Sequence, residues 1–223
     1  MMLRGVIIKM NNITKERLES ELTMYGNICN KILNDMNTTQ KNTTDLKLKG
    51  KLESRIIGFE KLVNFVFDET QFIKAPASTK YHLAIKHGLL LHSISVAKLA
   101  MKMNNTLKAE IPIYKLLTVA LFHDLGKENQ YVVNQPTNKQ KQYGYSANPP
   151  FLWNPNQEYN EHESRSLYYL SQYIQLDEDE WVAIQYHNSP WDGTTKCAFK
   201  QNKLLTILQM CDYYSTVYLE ERE

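Results

Sequence analysis

The sequence is poor in the residues that interrupt helices and in those that cross-link chains. Its 223 residues include only eight glycines, seven prolines and three cysteines, Cys29, Cys197 and Cys211. The cysteines are odd in number, far apart and without a CxxC pair, which disfavours a disulfide framework and a thiolate zinc site. No apolar run approaches the roughly 18 residues of a membrane span, and the start of the chain has too short an apolar core for a signal peptide. We therefore expect a protein of the reducing cytoplasm that makes no contact with membranes.

A strong charge of one sign is also missing. Lysine and arginine number 26 against 24 aspartates and glutamates, a net charge of +2, so the chain as a whole attracts neither nucleic acid nor anionic membranes strongly. Phosphate binding should therefore be local, and a nucleic-acid partner is possible but not favoured. The abundance of Asn, Lys, Ile and Tyr is typical of AT-rich genomes such as those of many phages and Firmicutes. This favours the cytoplasm of a bacterial or phage-infected cell.

Apolar residues recur at three- and four-residue spacing through most of the chain, which predicts an all-α fold. Asp177 and Glu180 form a capping-box variant that should open a helix ending at His187. The predicted helices cover residues 14–36, 51–67, 89–103, 113–127, 161–174, 180–187 and 204–219. The first two should form an N-terminal helical layer.

Two segments between these helices are predicted loops. Residues 37–45 are a polar tract, NTTQKNTTD, whereas residues 134–160 contain four prolines and five aromatic residues. A loop as long as the second one usually covers a functional site or binds a ligand. The alternative interpretation is that residues 134–160 are a disordered insertion.

Four histidines and two aspartates in helical settings form an ordered series along the chain. They are His92, His123, Asp124, His162, His187 and Asp212. Imidazole nitrogens and carboxylate oxygens are ligands of zinc, manganese and iron, and one carboxylate can bridge two ions. A histidine taken alone is more often a hydrogen-bonded core residue. Asp212 lies on a helix rich in Leu and Ile, where a buried carboxylate is costly without a cation or donors, although a tyrosine could supply the hydrogen bond.

The order of His92, His123-Asp124 and Asp212 resembles the HD-domain metal-dependent phosphohydrolases, and HDLGK at residues 123–127 resembles their signature segment. Further segments resemble a phage and Firmicutes branch of small HD hydrolases, so that the resemblance covers about two thirds of the chain. These segments are residues 72–96, 162–187 and 204–222. His87 stands where that branch has glycine. The resemblance implies an all-α HD fold at residues 71–223 with an inserted loop at about 128–160. It is weakest over residues 1–70, which the helical pattern predicts to pack on the HD fold as an additional helical layer.

The resemblance also implies the roles of the series. His92, His123, Asp124 and Asp212 would hold one divalent ion, and His162 and His187 a second, with Asp124 as the bridge. We call these six residues the predicted ligand set. Two divalent ions are expected, and their metal could be Mn, Fe, Zn, Mg, Co or Ni. They would generate hydroxide from water and polarise a phosphoryl group.

Other residues near this set are candidates for catalysis and substrate binding. Lys127 would act beside Asp124 as a catalytic residue by neutralising charge that develops on a phosphate. Arg165 would be a second phosphate ligand through its planar guanidinium. His82, Thr79 and Lys80 match a part of the branch near the first ligand and could line the pocket, unless Ser78 or Thr79 only caps a helix.

Three aromatic residues are candidates for stacking on a base. They are Tyr145, Trp153 and Trp191, with packing beneath the long loop as the alternative.

Three functions fit these patterns. The first is hydrolysis of a phosphomonoester or phosphodiester bond in a nucleotide, a cyclic nucleotide or an oligonucleotide. The second is a di-iron oxygenase of the HD type, because such proteins use a similar ligand set. The third is a metal-containing, nucleotide-binding or counter-defence protein without turnover. The phosphorylated partner is therefore a small molecule or nucleotide in the first reading.

Overall fold

The fold is built from helices in the part of the chain that the computed structural model describes, residues 13–157, 161–189 and 202–220. The helices are α1 (Lys15–Asn42), α2 (Leu46–Asp68), α3 (Gly88–Thr106), α4 (Ile113–Phe122), α5 (Asn138–Gln142), α6 (His162–Ser171), α7 (Glu178–Tyr186) and α8 (Lys203–Tyr214). A 3-10 turn, Leu125–Lys127, follows α4, and a π-helical turn, Ser215–Leu219, follows α8. These elements confirm the predicted all-α class. None of the helices in the described ranges is long and apolar enough to cross a membrane.

The N-terminal helices share one hydrophobic core with α3, α4, α6, α7 and α8. Aromatic rings mark the contact with α4: Phe122 lies 6.5 Å from Tyr25 of α1 and 6.1 Å from Phe59 of α2, measured between ring centroids. Phe59 and Phe122 are fully buried, and burial of a side chain of this size contributes about 1.5–3 kcal/mol. The helices α1 and α2 therefore support α4, which leads directly into the HDLGK segment.

The predicted loop at residues 37–45 is wrong for most of its length, because α1 continues to Asn42. Met36 is fully buried, and the polar residues after it lie on exposed or half-buried positions of the same helix. Only residues 43–45 connect the two helices. The side chain of Asp45 then accepts hydrogen bonds from the backbone N–H groups of Lys47 (2.9 Å) and Leu48 (3.2 Å), so α2 begins at Leu46 rather than at residue 51.

The predicted loop at residues 134–160 contains regular structure in its described part. Two short antiparallel strands, β1 (Tyr131–Val133) and β2 (Phe151–Trp153), pair across it, and α5 lies between them. Thr137 and Gln140 form a complete capping box that starts α5. The buried Phe151 donates its backbone N–H to the carbonyl of Thr79 (3.3 Å). This segment is therefore fixed to the chain that precedes α3.

The start of α3 has an unusual backbone conformation at His87. Its φ is 70° and its ψ is 6°, a left-handed conformation that favours glycine, which is the residue that the resembling branch has there. The His87 ring lies 2.6 Å from the Ile73 carbonyl through Nδ1. A Cβ on the next residue, Gly88, would lie 2.0 Å from the Leu83 carbonyl oxygen. The turn packs the chain closely just before the helix that carries His92.

Candidate metal centre

The HDLGK segment leaves the helical path directly after α4. The predicted helix at 113–127 ends at Phe122; Asp124 has φ −102° and ψ 11°, and the 3-10 turn follows. Packing against α6 explains the departure: a Cβ on Gly126 would lie 2.1 Å from the carbonyl oxygen of His162, and the Gly126 N–H donates to Ser166 Oγ (2.8 Å). The turn thus brings Asp124 and His162 to the same place.

The carboxylate of Asp124 lies between two pairs of imidazole nitrogens. Its Oδ2 is 3.5 Å from His92 Nε2 and 3.6 Å from His123 Nε2. Its Oδ1 is 3.2 Å from His162 Nε2 and 3.4 Å from His187 Nε2. Each oxygen therefore faces its own pair of histidines, which is the arrangement expected of a carboxylate shared by two ions.

Asp212 completes the first of these groups, with Oδ1 3.2 Å from His92 Nε2. The structure thus brings all six residues of the predicted ligand set together. The ligand atoms of this set are better suited to binding a cation than to hydrogen bonding with one another. His92 Nε2 and His123 Nε2 are 3.4 Å apart. Asp124 Oδ1 and His187 Nε2 are both buried, and neither has a hydrogen-bond partner among the described residues. The residues present therefore fit divalent metal ions.

Two of the histidines are oriented by the helix ends on which they lie. His123 is the residue after α4 and His187 the residue after α7. Each donates its Nδ1–H to the carbonyl three residues earlier, His123 to Ala120 (3.0 Å) and His187 to Ile184 (2.7 Å). Those carbonyls lack a full set of helical partners at a helix end. The bonds fix the tautomer so that each Nε2 presents its lone pair towards Asp124.

His162 is held by polar neighbours instead. Its Nδ1 is 3.4 Å from Glu163 Oε2, and the Asn188 amide approaches its Nε2 at 2.9 Å. A metal ion at His162 would take the place of this amide contact. The Asn188 amide would therefore compete with a metal ion for His162 Nε2.

Electrostatics at the centre favours charged carboxylates and a neutral His123. Burial opposes charge on both Asp124 and Lys127, but their contact at 2.7 Å outweighs it, so that the pKa of Asp124 is lowered well below its ordinary value and the pKa of Lys127 is raised. Burial lowers the pKa of His123 to about 3, so its ring is neutral and can act as a ligand. Burial also opposes ionisation of Asp212, but its contact with His92 keeps the pKa of Asp212 below the ordinary value.

The residues predicted to bind substrate lie at different distances from this centre. Lys127 is part of it. The guanidinium of Arg165 contacts Tyr169 and Glu128 instead, with Nη2 3.1 Å from the Tyr169 hydroxyl and 3.5 Å from Glu128 Oε1. The ring of His82 lies against the outer side of His92, with 5.3 Å between centroids.

The two other described candidates precede His82. Thr79 accepts a hydrogen bond from Phe151 through its backbone, and Lys80 places its Nζ 5.2 Å above the ring of Tyr81. Lys80 and Tyr81 also line a cavity of about 1150 Å³. Ser78 closes this turn, accepting from the Tyr81 N–H (3.0 Å) and donating to the His82 carbonyl (2.8 Å). Trp191 lies outside the described residues.

Sequence reasoning missed three polar residues that contact the predicted ligand set. Glu163 and Asn188 contact His162, and Glu220 Oε1 lies 2.7 Å from His92 Nδ1. Spacing gave no signal for Glu220, because its position depends on the π-helical turn after α8. For Asn188, adjacency to His187 was the available signal.

Comparison with known families agrees with this geometry. The family model described as HD domain matches residues 89–217, a range that contains the whole predicted ligand set. No curated protein matched the chain, and no solved structure matched it.

Proposed function

The chain belongs to the HD-domain family, a superfamily of metal-dependent phosphohydrolases, and we propose that it hydrolyses a phosphomonoester or phosphodiester bond in a nucleotide, a cyclic nucleotide or an oligonucleotide. The reaction would take place at two divalent ions. Manganese, iron, zinc, magnesium, cobalt and nickel all accept these ligands.

The observation that carries the proposal is the position of the Asp124 carboxylate between two pairs of histidines. One oxygen faces His92 and His123, and the other faces His162 and His187, at 3.2 to 3.6 Å. With Asp212, the first group would hold one ion and the second group another. Asp124 is the only carboxylate in the described chain that approaches all four imidazoles, which supports its role as the bridge.

Divalent ions bound here would supply hydroxide at neutral pH and polarise the phosphoryl oxygens. The chain's own residues would hold and orient the reactants. His123 and His187 are almost fully buried, so they define the dry side of the centre. Lys127, whose side chain is 13% exposed, can reach a phosphate and remain protonated, because the neighbouring carboxylates raise its pKa. It would bind the phosphate and neutralise the charge that develops on it.

An aromatic pair beside Lys127 supports a nucleotide as substrate. Tyr131 and Trp153 meet across the β1–β2 pair, with ring centroids 5.3 Å apart. Tyr131 lies near enough to Lys127 to shift its pKa, and Trp153 is 53% exposed. An exposed aromatic ring that packs on Tyr131 is suited to stacking a base while Lys127 holds the phosphate.

Hydrolysis assays with a defined panel test the proposal. The purified protein, loaded in turn with Mn²⁺, Fe²⁺, Zn²⁺, Co²⁺, Ni²⁺ or Mg²⁺, would be incubated with nucleoside monophosphates to triphosphates, cyclic nucleotides and short oligonucleotides, and product release would be followed by chromatography. We expect phosphate-ester cleavage with at least one metal. Asp124→Asn should abolish it, whereas Asp68→Asn, an exposed position on α2, should leave it unchanged.

Three results would contradict the proposal. Silence with every metal, together with tight nucleotide binding, would indicate a binding protein without turnover. A mixed-valent iron pair with oxygen uptake would indicate an oxygenase. Cleavage that survives Asp124→Asn would show that the reaction does not use this centre.

A further inference from the structure

Glu220, which follows the π-helical turn after α8, is buried. Only 7% of its surface is exposed. Its Oε1 lies 2.7 Å from His92 Nδ1, and its Oε2 lies 3.9 Å from His82 Nε2. Neither Oε2 nor His82 Nε2 has a hydrogen-bond partner among the residues that the structure describes. A carboxylate with this little water contact is costly to bury unless its interactions are strong.

The backbone after α8 is shaped so that Glu220 reaches His92. After α8 the backbone changes to a π-helical turn, and the Glu220 N–H donates to the carbonyl of Ser215 (3.0 Å). Ser215 is fully buried and lies 3.3 Å from Ser95 of α3 between hydroxyl oxygens. The turn is therefore fixed to the helix that carries His92, and this packing places Glu220 beside His92.

The two nitrogens of His92 consequently contact two carboxylates of the same segment. Nε2 is 3.2 Å from Asp212 and Nδ1 is 2.7 Å from Glu220. His92 also differs from His123 and His187 in its position, because it lies inside α3 rather than at a helix end. The carbonyls of a helix interior are already paired, so the Nδ1–H of His92 needs an acceptor from outside its own helix.

We propose that Glu220 is a positioning residue of the metal centre: it accepts the Nδ1–H of His92, so that Nε2 keeps its lone pair and points at the ion. This inference rests on the proposed metal centre. A carboxylate acceptor also makes the imidazole a stronger ligand than a backbone carbonyl would, and loss of such a partner typically weakens metal binding by about 10- to 100-fold.

Metal binding by Glu220 variants tests this role independently of hydrolysis. Affinity for Mn²⁺ would be measured by titration calorimetry for the wild type, Glu220→Gln and Glu220→Ala. We expect about 10-fold weaker binding for the glutamine variant, which keeps an acceptor but loses the charge, and about 100-fold weaker binding for the alanine variant. The visible absorption spectrum of the Co²⁺-loaded protein should change in both, because the orientation of one ligand changes.

Asp68→Asn is the matched control, since it also removes one carboxylate charge but lies at an exposed position on α2. It should keep wild-type Mn²⁺ affinity and an unchanged Co²⁺ spectrum. Wild-type affinity in both Glu220 variants would overturn the inference, and so would an equal loss in Asp68→Asn, which would show that loss of any carboxylate charge is enough. A wild-type protein that binds no Mn²⁺, Co²⁺ or other divalent ion would instead overturn the proposed metal centre itself.

Discussion

At the scale of single residues, the metal centre contains a buried negative charge on Asp124, which the positive charge of Lys127 compensates. Asp124 is almost fully buried, and the cation beside it, Lys127, lies 2.7 Å away and is itself mostly covered. Removing one partner of such a pair leaves an uncompensated buried charge. The pair therefore keeps the Asp124 carboxylate ionised, and under the proposed function it would keep an ammonium group within reach of a bound phosphate.

Replacement of Lys127 by methionine tests the second of these roles. We expect kcat for phosphate-ester cleavage to fall by about 100- to 1000-fold, the usual effect of removing one donor that stabilises transition-state charge. Bound metal per chain should stay at the wild-type value, because Lys127 is not a ligand. Steady-state kinetics and elemental analysis on the same preparation measure both quantities.

Lys127→Arg is the companion variant, because it keeps the charge. It should retain more activity than Lys127→Met. A methionine variant that cleaves within a few-fold of the wild-type rate would exclude Lys127 from phosphate stabilisation.

At the scale of elements, a buried ion pair connects the N-terminal layer to the helix that carries His187. Arg55 of α2 and Glu180 of α7 are both almost fully buried and form a two-pronged contact, with Nη1 2.8 Å from Oε2. Arg55 also donates to the Gln175 carbonyl at 3.2 Å. Glu180 in turn accepts the Asp177 N–H in the capping box of α7, a predicted feature that the structure confirms.

Breaking this pair from one side should destabilise the fold strongly. Arg55→Met leaves Glu180 buried without its partner, and we expect the free energy of unfolding to fall by about 3–5 kcal/mol in urea denaturation. The double variant with Arg55→Met and Glu180→Met removes both charges and should recover most of that loss. Equal stability of the single and double variants would show that the pair is not the origin of the effect.

Acid stability should depend on Asp177. Partial burial opposes its ionisation, but hydrogen bonds from Lys115 and Lys51 outweigh this and lower its pKa below the ordinary value of 3.8. Because the folded-state pKa is the lower one, the stabilisation is fully present above about pH 4 and is lost as the pH falls through the folded-state pKa.

The comparison of wild type with Asp177→Asn measures this contribution. Asparagine is also a good N-cap, so the variant removes the charge while keeping the start of α7. The difference in the free energy of unfolding should be constant above about pH 4 and shrink below it. A difference that does not change with pH would exclude the Lys115 and Lys51 contacts as its cause.

How far the sequence predicts each element follows from whether its signals are local. The helix class and the start of α7 follow from periodicity and a capping box, both local patterns. The end of α1 was mispredicted because polar residues suit an exposed helix face as well as a loop. The end of α4 depends on a tertiary contact, because the backbone of α6 packs so closely on Gly126 that a side chain there would clash with the His162 carbonyl.

Side-chain contacts were harder to predict than the set of residues that meets at the centre. The order of the histidines and aspartates and its resemblance to the HD family predicted a metal site, and the structure brings these residues together. Arg165 was placed near a phosphate because it lies one turn after His162, yet its guanidinium contacts Tyr169 and Glu128. Glu220 was missed because its position depends on the π-helical turn after α8. Both cases are decided by tertiary contacts that sequence spacing does not contain.

At the scale of the whole molecule, the predicted ligand set joins separate parts of the fold. Its members come from α3, from the ends of α4 and α7, from the start of α6 and from α8. Ions bound to all of them would cross-link these helices in the folded state only, since the unfolded chain does not hold the ligands together. Metal loading should therefore raise the thermal stability of the protein as well as prepare it for catalysis.

The number of divalent ions per chain tests whether Asp124 bridges a two-ion centre. Elemental analysis of Mn²⁺-loaded protein after removal of free metal should give two ions for the wild type. It should give one for a variant with His162→Ala and His187→Ala, because the first ion would keep His92, His123, Asp124 and Asp212. A single ion in the wild type, or two ions that persist without His162 and His187, would contradict a centre bridged by Asp124.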